Sequence, residues 1–231
     1  MLTIGLLGGM SWESSALYYR LVNEQVRDRL GGLHSAQCVL LSVDFADIEQ
    51  LQVNGHWDEA GSRLARAAQQ VEAAGADLLV LCTNTMHKVA DEIAAAVNLP
   101  LLHIADVAAS AVLAAGLRTV GLLGTSVTME QPFYRDRLAG HGLMVLVPEA
   151  SDRALVHRVI YDELCRGIVS DKSRQAYVEV VLRLVTAGAE GIVLACTEIE
   201  LLIGPGDLPV PAFATTALHV EAAVDAALGD R

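Results

Sequence analysis

The amino-acid sequence predicts an α/β fold of two similar Rossmann-like lobes with parallel sheets, related by a pseudo-twofold internal repeat. The main observation is that three sequence blocks occur twice, in the same order. They pair residues 4–9 with 120–125, 74–83 with 187–197, and 99–102 with 208–211. Each half also alternates apolar runs with helix-like segments, a pattern that implies right-handed βαβ crossovers and therefore a parallel sheet.

The elements of the first lobe can be assigned in chain order. Its strands are short continuous apolar runs, as is typical of buried parallel strands. Its helices have helical spacing of apolar residues and end at glycine or before proline. The predicted elements are a strand Thr3–Leu7, a helix Ser14–Leu30, a strand Cys38–Val43, a helix Trp57–Ala73, a strand Leu78–Cys82 and a helix Thr85–Val97. Leu17, Leu21 and Val26 form the predicted inner face of the first helix.

Composition and charge argue against several classes of function. The 231 residues carry a net charge of −12, which repels phosphate backbones and anionic lipid head groups. Nucleic acid and membrane surfaces are therefore not expected as partners. The first residues lack the basic start of a signal peptide, and no apolar run approaches the ~20 residues that span a bilayer. A cytoplasmic location is predicted.

Two of the four cysteines stand out by position. The cysteines are far apart, with no CxxC pair and no histidine at metal-ligand spacing, so neither disulfides nor a metal site is predicted. Cys82 and Cys196 each end an apolar strand and precede a threonine, and ligands of parallel sheets gather at the carboxyl ends of strands. Cys38 and Cys165 fit the default role of a small buried hydrophobe.

The strand-end position suggests a chemistry for Cys82 and Cys196. Backbone N–H groups there can hold a carboxylate, and the adjacent helix dipole is expected to lower the thiol pKa from about 8.5 toward neutrality. The repeat is expected to place the thiols on opposite walls of a cleft between the lobes. One thiolate can then remove the α-proton of an amino acid while the other thiol protonates the opposite face, as racemisation requires. Because oriented N–H and hydroxyl donors stabilise the intermediate, no pyridoxal cofactor is needed and no cofactor is predicted.

Three motifs resemble the aspartate/glutamate racemase family: residues 5–14 (GLLGGMSWES), 82–87 (CTNTMH) and 195–199 (ACTEI). The resemblance covers essentially the whole chain and implies two Rossmann-like lobes, an interlobe active site with a cysteine pair, an amino-acid substrate and a homodimer. In that family the C-terminal helix commonly returns to the first lobe. The predicted domains are therefore residues 1–98 joined by 211–231, and residues 99–210.

The resemblance also implies roles for individual residues. Cys82 and Cys196 become the catalytic pair, and a further group becomes substrate-binding. Asn84, Thr85 and Thr197 are carried over as carboxylate and amino-group contacts, Met10 and Ser11 as the floor, Thr125 as their counterpart in the second lobe, and Gln52 as a weaker candidate for the outer pocket. Thr83 belongs to the same substrate-binding group. Glu198 is expected to orient either the substrate amine or the neighbouring thiol.

The sequence departs from the aspartate-selective members of this family. Those members hold the distal carboxylate with an arginine after the second strand and a lysine in the second lobe. Residues 42–47 here contain no basic residue, and Cys165 stands where the lysine would be. Arg166, one residue on, would point about 100° away on a helix. The resemblance is therefore closer to the broad-specificity amino-acid racemase branch, which handles neutral or polar side chains.

Other interpretations remain open at this point. The glycines of residues 5–9 fit neither dinucleotide nor P-loop spacing and favour close approach of a small ligand. His87 is expected either to tune a thiolate or to serve as a structural hydrogen-bonding group. Related cysteine-dependent enzymes of similar fold include maleate isomerases, arylmalonate decarboxylases and hydantoin racemases. A non-catalytic amino-acid-binding protein is a further alternative.

Overall fold

The computed structural model describes residues 1–229, so the last two residues of the predicted segment 211–231 lie outside the described residues. The contacts divide the chain into two compact units. The first comprises residues 1–104 together with the segment that begins at His219, and the second comprises residues 105–218. The predicted domain boundaries at 98/99 and 210/211 stay a prediction.

The first unit has a four-stranded parallel sheet. Its strands are β1 (Ile4–Gly8), β2 (Cys38–Ser42), β3 (Leu78–Leu81) and β4 (Leu101–Leu102). Its helices are α1 (Trp12–Leu30), α2 (Phe45–Val53), α3 (Trp57–Ala73) and α4 (Ala90–Ala95), with a 3-10 helix at Thr85–Val89. Helix α5 (Ile104–Ala114) begins at the last residue before the unit boundary.

The second unit repeats the design. Its strands are β5 (Thr119–Gly124), β6 (Met144–Leu146), β7 (Gly191–Ala195) and β8 (Ala212–Ala214). Its helices are α6 (Ser126–Glu130), α7 (Pro132–Gly140), α8 (Ala150–Asp162), α9 (Asp171–Thr186) and α10 (Ile199–Leu202), with 3-10 helices at Leu164–Arg166 and Pro205–Asp207. Helix α11 (Thr215–Leu228) crosses back into the first unit.

The two sheets share one topology. The strand orders are β2-β1-β3-β4 and β6-β5-β7-β8, and every pairing is parallel. Both glycine-rich repeats become the first strand of a unit, next to the strand that is directly followed by a cysteine. The predicted α/β fold with two Rossmann-like lobes is confirmed. Its strand ends are the places where ligands bind in open parallel sheets.

Both faces of the first sheet are buried. On one face, Leu7, Leu79 and Leu81 pack with residues of α2 and α3. On the other, Ile4, Leu6, Leu78, Val80 and Cys82 pack with α1 and with the C-terminal part of α11. Burial on both faces explains why these strands are continuous apolar runs rather than alternating ones.

Some predicted elements need correction. The buried stripe of α1 runs through Tyr18, Val22 and Val26, whereas Leu17 and Leu21 are only partly buried. The single helix predicted over Thr85–Val97 is instead a 3-10 helix followed by the short α4, and α2 was not predicted at all. The spacing of apolar residues identifies the helix correctly but leaves uncertain by one residue which side chains face the core.

Candidate active site

The end of β1 forms one side of the candidate site in the first unit. Gly9 has φ of 94°, and a Cβ there would collide with the backbone of Val43, so only glycine fits. Ser11 is the N-cap of α1 and accepts a hydrogen bond from the Ser14 N–H at 3.3 Å. The Ser15 hydroxyl accepts from the Gly9 N–H at 2.7 Å and donates to the Ser11 carbonyl at 2.9 Å. Buried hydroxyls therefore fix this turn.

The predicted site residues next to this turn are buried as well. Met10 and Ser11 are 7% and 5% exposed. Across the sheet, Thr83, Asn84 and Thr85 follow β3 and are also buried. Because β1 and β3 are paired neighbours, the fold brings these five residues to one edge of the first sheet.

Cys82 lies against the hydrophobic core. Its side chain is fully buried, and its Sγ–H points to the Val80 carbonyl oxygen at 3.7 Å. Burial raises the pKa of the Cys82 thiol well above its ordinary value. The predicted lowering of this pKa by a helix dipole is wrong, since desolvation disfavours the thiolate and outweighs the dipole of a short 3-10 helix.

A hydrogen-bond network braces the segment after Cys82. The Thr83 N–H donates to the Leu81 carbonyl at 2.8 Å. The His87 Nδ1 lies 2.7 Å from the Thr83 carbonyl oxygen, and the His87 Nε2 accepts from the Ile104 N–H at 3.2 Å. A carbonyl can only accept and an N–H can only donate, so His87 is neutral with its proton on Nδ1. The structural role of His87 is thus explained by these bonds.

A second buried histidine extends the network. His219, from α11, lies 2.9 Å from the Tyr18 hydroxyl through Nδ1 and 2.8 Å from the Leu102 carbonyl oxygen through Nε2. Burial lowers the pKa of His219 to about 4. Its ring stands 5.9 Å from the ring of His87. No sequence pattern indicates this contact, because Tyr18 and His219 are 201 residues apart.

Gln52 lies on a different element from the other predicted residues of the first unit. It sits on α2, partly buried, and its Nε2 contacts the Met86 sulfur at 2.9 Å. The structure therefore places Gln52 beside the 3-10 helix that follows the Cys82 segment.

In the second unit, Cys196 carries a carboxylate partner. It follows β7 and is 7% exposed, and its Sγ–H donates to Glu198 Oε2 at 3.1 Å. The Thr197 hydroxyl donates to the same oxygen at 2.6 Å. Burial first, and then the charge of Glu198, raise the pKa of the Cys196 thiol well above its ordinary value. The lowered pKa predicted from the sequence is therefore wrong here too.

Thr125 lies at the end of the neighbouring strand β5. It is the N-cap of α6, accepts from the Thr128 N–H at 3.3 Å and is buried. Its pairing neighbour β7 leads into Cys196, Thr197 and Glu198. The fold thus brings all four predicted residues of the second unit to one sheet edge.

Two further ionisable groups of the second unit are Glu200 and Cys165. Glu200 accepts from the Thr216 N–H at 3.0 Å, and burial raises its pKa to about 7. Cys165 is partly buried and packs on the same core as Cys196. Glu200 was not predicted as a site residue, although its spacing two residues after Glu198 is visible in the sequence.

The two cysteines do not occupy equivalent positions in the repeat. Leu7 pairs with Leu81 in the first sheet, and the matching Leu123 pairs with Leu194 in the second. Cys82 is the first residue after Leu81, whereas Cys196 is the second after Leu194. The expectation of matched positions is corrected by one residue.

Comparison with known proteins identifies the class. A sequence profile described as Asp/Glu/hydantoin racemase matches residues 7–223. The two-lobed α/β fold and this match define an isomerase of the amino-acid racemase type. The chain belongs to the Asp/Glu/hydantoin racemase family.

Solved structures agree with this. A crystal structure of an Asp/Glu racemase candidate from Yersinia pestis is 53% identical, covers 99% of this chain and 100% of its own, and has a TM-score of 0.93. An aspartate racemase homologue from Pyrococcus horikoshii is 32% identical over 99% of this chain and 100% of its own, with a TM-score of 0.87. The broad-specificity amino-acid racemase RacX of Bacillus subtilis is 24% identical over 170 residues, which is 72% of each chain.

Two kinds of feature are absent from the described residues. Within residues 1–229, no helix is long and apolar enough to cross a membrane. Over the same residues, no group of three or more His, Cys, Asp or Glu side chains is arranged to hold a metal ion.

Proposed function

We propose that this chain racemises a free amino acid by two-base proton transfer without pyridoxal phosphate, with Cys196 as one acid/base group. The observation that carries the proposal is the buried hydrogen bond from the Cys196 thiol to the Glu198 carboxylate at 3.1 Å. A thiol paired with a carboxylate at the end of a parallel strand is a nucleophile–base arrangement in which the carboxylate receives the proton.

The environment of Cys196 suits removal of a weakly acidic α-proton. A buried thiolate loses solvation and is therefore a stronger base than one in water. In the proposed step, Glu198 takes the thiol proton, the thiolate sulfur takes the α-proton, and the electron pair of the Cα–H bond passes to the substrate carboxylate. Proton transfer by a positioned side chain contributes typically about 10²–10⁴-fold to the rate.

The second acid/base group comes from the segment that follows β3. The two-thiol form of the proposal assigns it to Cys82, which donates a proton to the opposite face of Cα. Hydroxyl and amide groups at the same sheet edge, from Ser11, Asn84 and Thr85, are suited to hold the substrate carboxylate and stabilise its developing charge. On the other unit, Thr125 and Thr197 supply further hydroxyls.

The lysines support a reaction without a Schiff base. The sequence contains two lysines, Lys88 and Lys172. The Nζ of Lys88 lies 3.8 Å from the ring centroid of Trp57, and Lys172 is exposed in the first turn of α9. Lys172 follows no strand of the proposed site. Lys88 lies in the 3-10 helix after β3, but its ammonium group is engaged with the Trp57 ring, whereas a pyridoxal aldimine would need a lysine amine free to react with the cofactor.

The charges around Cys196 favour substrates without a distal carboxylate. Glu198 places a buried acidic side chain beside the Cys196 thiol, which suits a substrate ammonium group and disfavours a second carboxylate. The segment 42–47 supplies no compensating basic residue. We therefore propose broad specificity for amino acids with neutral or polar side chains. We also propose a homodimer and a cytoplasmic location. The similarity to the Bacillus subtilis broad-specificity racemase supports the specificity.

The test is a racemisation assay on the purified protein without added cofactor. Single enantiomers of acidic, neutral and basic amino acids are incubated in D₂O, with NMR for loss of the α-proton and chiral chromatography for the opposite enantiomer. We expect exchange with inversion, lost in Cys196→Ser and retained in Cys38→Ser, whose thiol lies at the start of β2. Intact α-protons across the whole panel would reject the racemase proposal.

A further inference from the structure

Backbone hydrogen bonds fix how the two units correspond. The Asp77 N–H donates to the Thr3 carbonyl at 2.8 Å, and the Glu190 N–H donates to the Thr119 carbonyl at 2.8 Å. Asp77 directly precedes strand β3 and Glu190 directly precedes strand β7, so these two residues occupy equivalent positions in the two units. Counting along each strand, Cys196 is the sixth residue after Glu190, and the sixth residue after Asp77 is Thr83.

The faces of the strands agree with this count. On β7, Ile192 and Leu194 share one face with Cys196, and all three pack in the core formed with α8 and α9. The corresponding face of β3 carries Leu79 and Leu81, which pack with α2 and α3. Successive side chains of a strand alternate between faces, so the next residue on that face of β3 is Thr83.

Cys82 continues the other face. It packs with Val80, Tyr18 and Val220 in the core between the sheet and helices α1 and α11. Its side chain has no exposed surface, whereas Thr83 and Cys196 are 8% and 7% exposed. Cys82 is therefore enclosed by apolar side chains, while Thr83 matches Cys196 in both position and exposure.

The backbone of Thr83 is held while its hydroxyl is available. The N–H bonds to Leu81 and the carbonyl bonds to His87, which fixes the direction of the side chain. Among residues 1–229, the Thr83 hydroxyl has no hydrogen-bond partner. A hydroxyl with fixed direction and no protein partner is suited to contact a ligand.

We infer that Thr83, rather than Cys82, is the second acid/base residue of the site, an assignment that rests on the proposed racemisation. In the direction that begins at Cys196, the thiolate takes the α-proton, forming S–H, and the Cα–H electron pair moves into the substrate carboxylate. The Thr83 O–H bond then breaks as its proton bonds to the opposite face of Cα. Water reprotonates the Thr83 alkoxide, and Glu198 passes the proton it received from Cys196 to water, so protons and charges balance.

With an alcohol as one acid/base group and a thiol as the other, the two directions of racemisation use different bases. Racemisation has an equilibrium constant of one, so kcat/KM must be equal for the two enantiomers. The separate kcat and KM values are expected to differ, because one enantiomer meets a thiolate base and the other needs the much scarcer alkoxide. A pair of identical thiols would not impose this difference.

The experiment compares Thr83→Val, Thr83→Ser and Cys82→Ala on racemisation, using the best substrate of the amino-acid panel. It also follows the elimination of chloride from each enantiomer of β-chloroalanine. Elimination needs one base only: the α-proton leaves, a Cα–Cβ double bond forms, and chloride departs with the C–Cl electron pair. We expect Thr83→Val to lower racemisation kcat/KM by about 100-fold or more, Thr83→Ser to restore most of it, and Cys82→Ala to cost less than Thr83→Val.

The elimination reaction separates chemistry from folding. Thr83→Val is expected to go on eliminating chloride from the one enantiomer that presents its α-proton to Cys196, and Cys196→Ser to lose that reaction. Racemisation that survives Thr83→Val but is abolished by Cys82→Ala would overturn the inference and leave the two-thiol proposal standing. Loss of both reactions in Thr83→Val would also overturn it, since Thr83 would then support the fold or binding. A wild-type protein inert toward every amino acid and β-chloroalanine would reject the racemase proposal itself.

Discussion

Replacing Glu198 with glutamine tests whether this carboxylate controls the Cys196 thiol. The Glu198 carboxylate lies 3.1 Å from the thiol sulfur and is, after burial, the main reason why the pKa of Cys196 is raised. An adjacent charge shifts a pKa by about one to three units, or about 1.4–4 kcal/mol of differential interaction. In Glu198→Gln the pKa of Cys196 should therefore fall, while burial keeps it above its ordinary value.

Activity should move in the opposite direction to thiolate formation. Glutamine cannot take the thiol proton, so kcat should fall by about 10²-fold or more although the thiol ionises more readily. The thiol pKa is measured from the pH dependence of iodoacetamide alkylation, with the Cys196 peptide followed by mass spectrometry. Glu200→Gln is the matched control, because Glu200 does not contact the thiol, and it should leave the alkylation profile in place. An unchanged or higher pKa of Cys196 in Glu198→Gln would refute the reasoning.

Three further predictions concern stability and are read from thermal and urea unfolding. Burial raises the pKa of Glu200 to about 7, so the folded state binds an extra proton between the unfolded and folded pKa values, and stability falls as pH rises through that window. Glu200→Gln should therefore raise the free energy of unfolding at pH 8 by about 1–3 kcal/mol and flatten its pH dependence. A destabilised variant would contradict the sign. Tyr18→Phe removes the buried bond to His219 at 2.9 Å and should cost about 1–3 kcal/mol, with an unchanged urea midpoint counting against it. Gly5→Val should cost at least about 1–3 kcal/mol, because even a Cβ at residue 5 would come within 2.9 Å of the Leu78 carbonyl oxygen, and a wild-type Tm would show that the strands can separate there.

The repeat in the sequence predicted the two-sheet fold because it records the order of buried strands. Helix α3 was predicted with its observed bounds, Trp57–Ala73, since a long amphipathic helix ended by Gly75 leaves strong signals. Helix α2 was missed although Asp44 caps it, because nine residues carry too little periodicity.

The candidate site was predicted less completely, because its properties depend on contacts between different strands and helices. Aligning Cys82-Thr83 with Cys196-Thr197 in the sequence conceals the one extra residue of β7. The equivalent residues are identified only by the hydrogen bonds that each strand makes to its neighbour in the sheet. The thiol pKa depends on burial, which a strand-end position does not disclose. The contact between Tyr18 and His219 depends on where the end of the chain returns.

That return of the chain has a consequence for synthesis. From His219 onward, α11 belongs to the first unit; Val220, Ala223 and Val224 cover one face of its sheet, and the Leu2 N–H bonds to the Ala227 carbonyl. On the ribosome, the contiguous second unit is fully made while the first still lacks this cover. The apolar face that carries Cys82 therefore stays uncovered until the whole second unit and α11 have been synthesised. It is the surface on which a nascent chain of this protein is most open to aggregation and to chaperone binding.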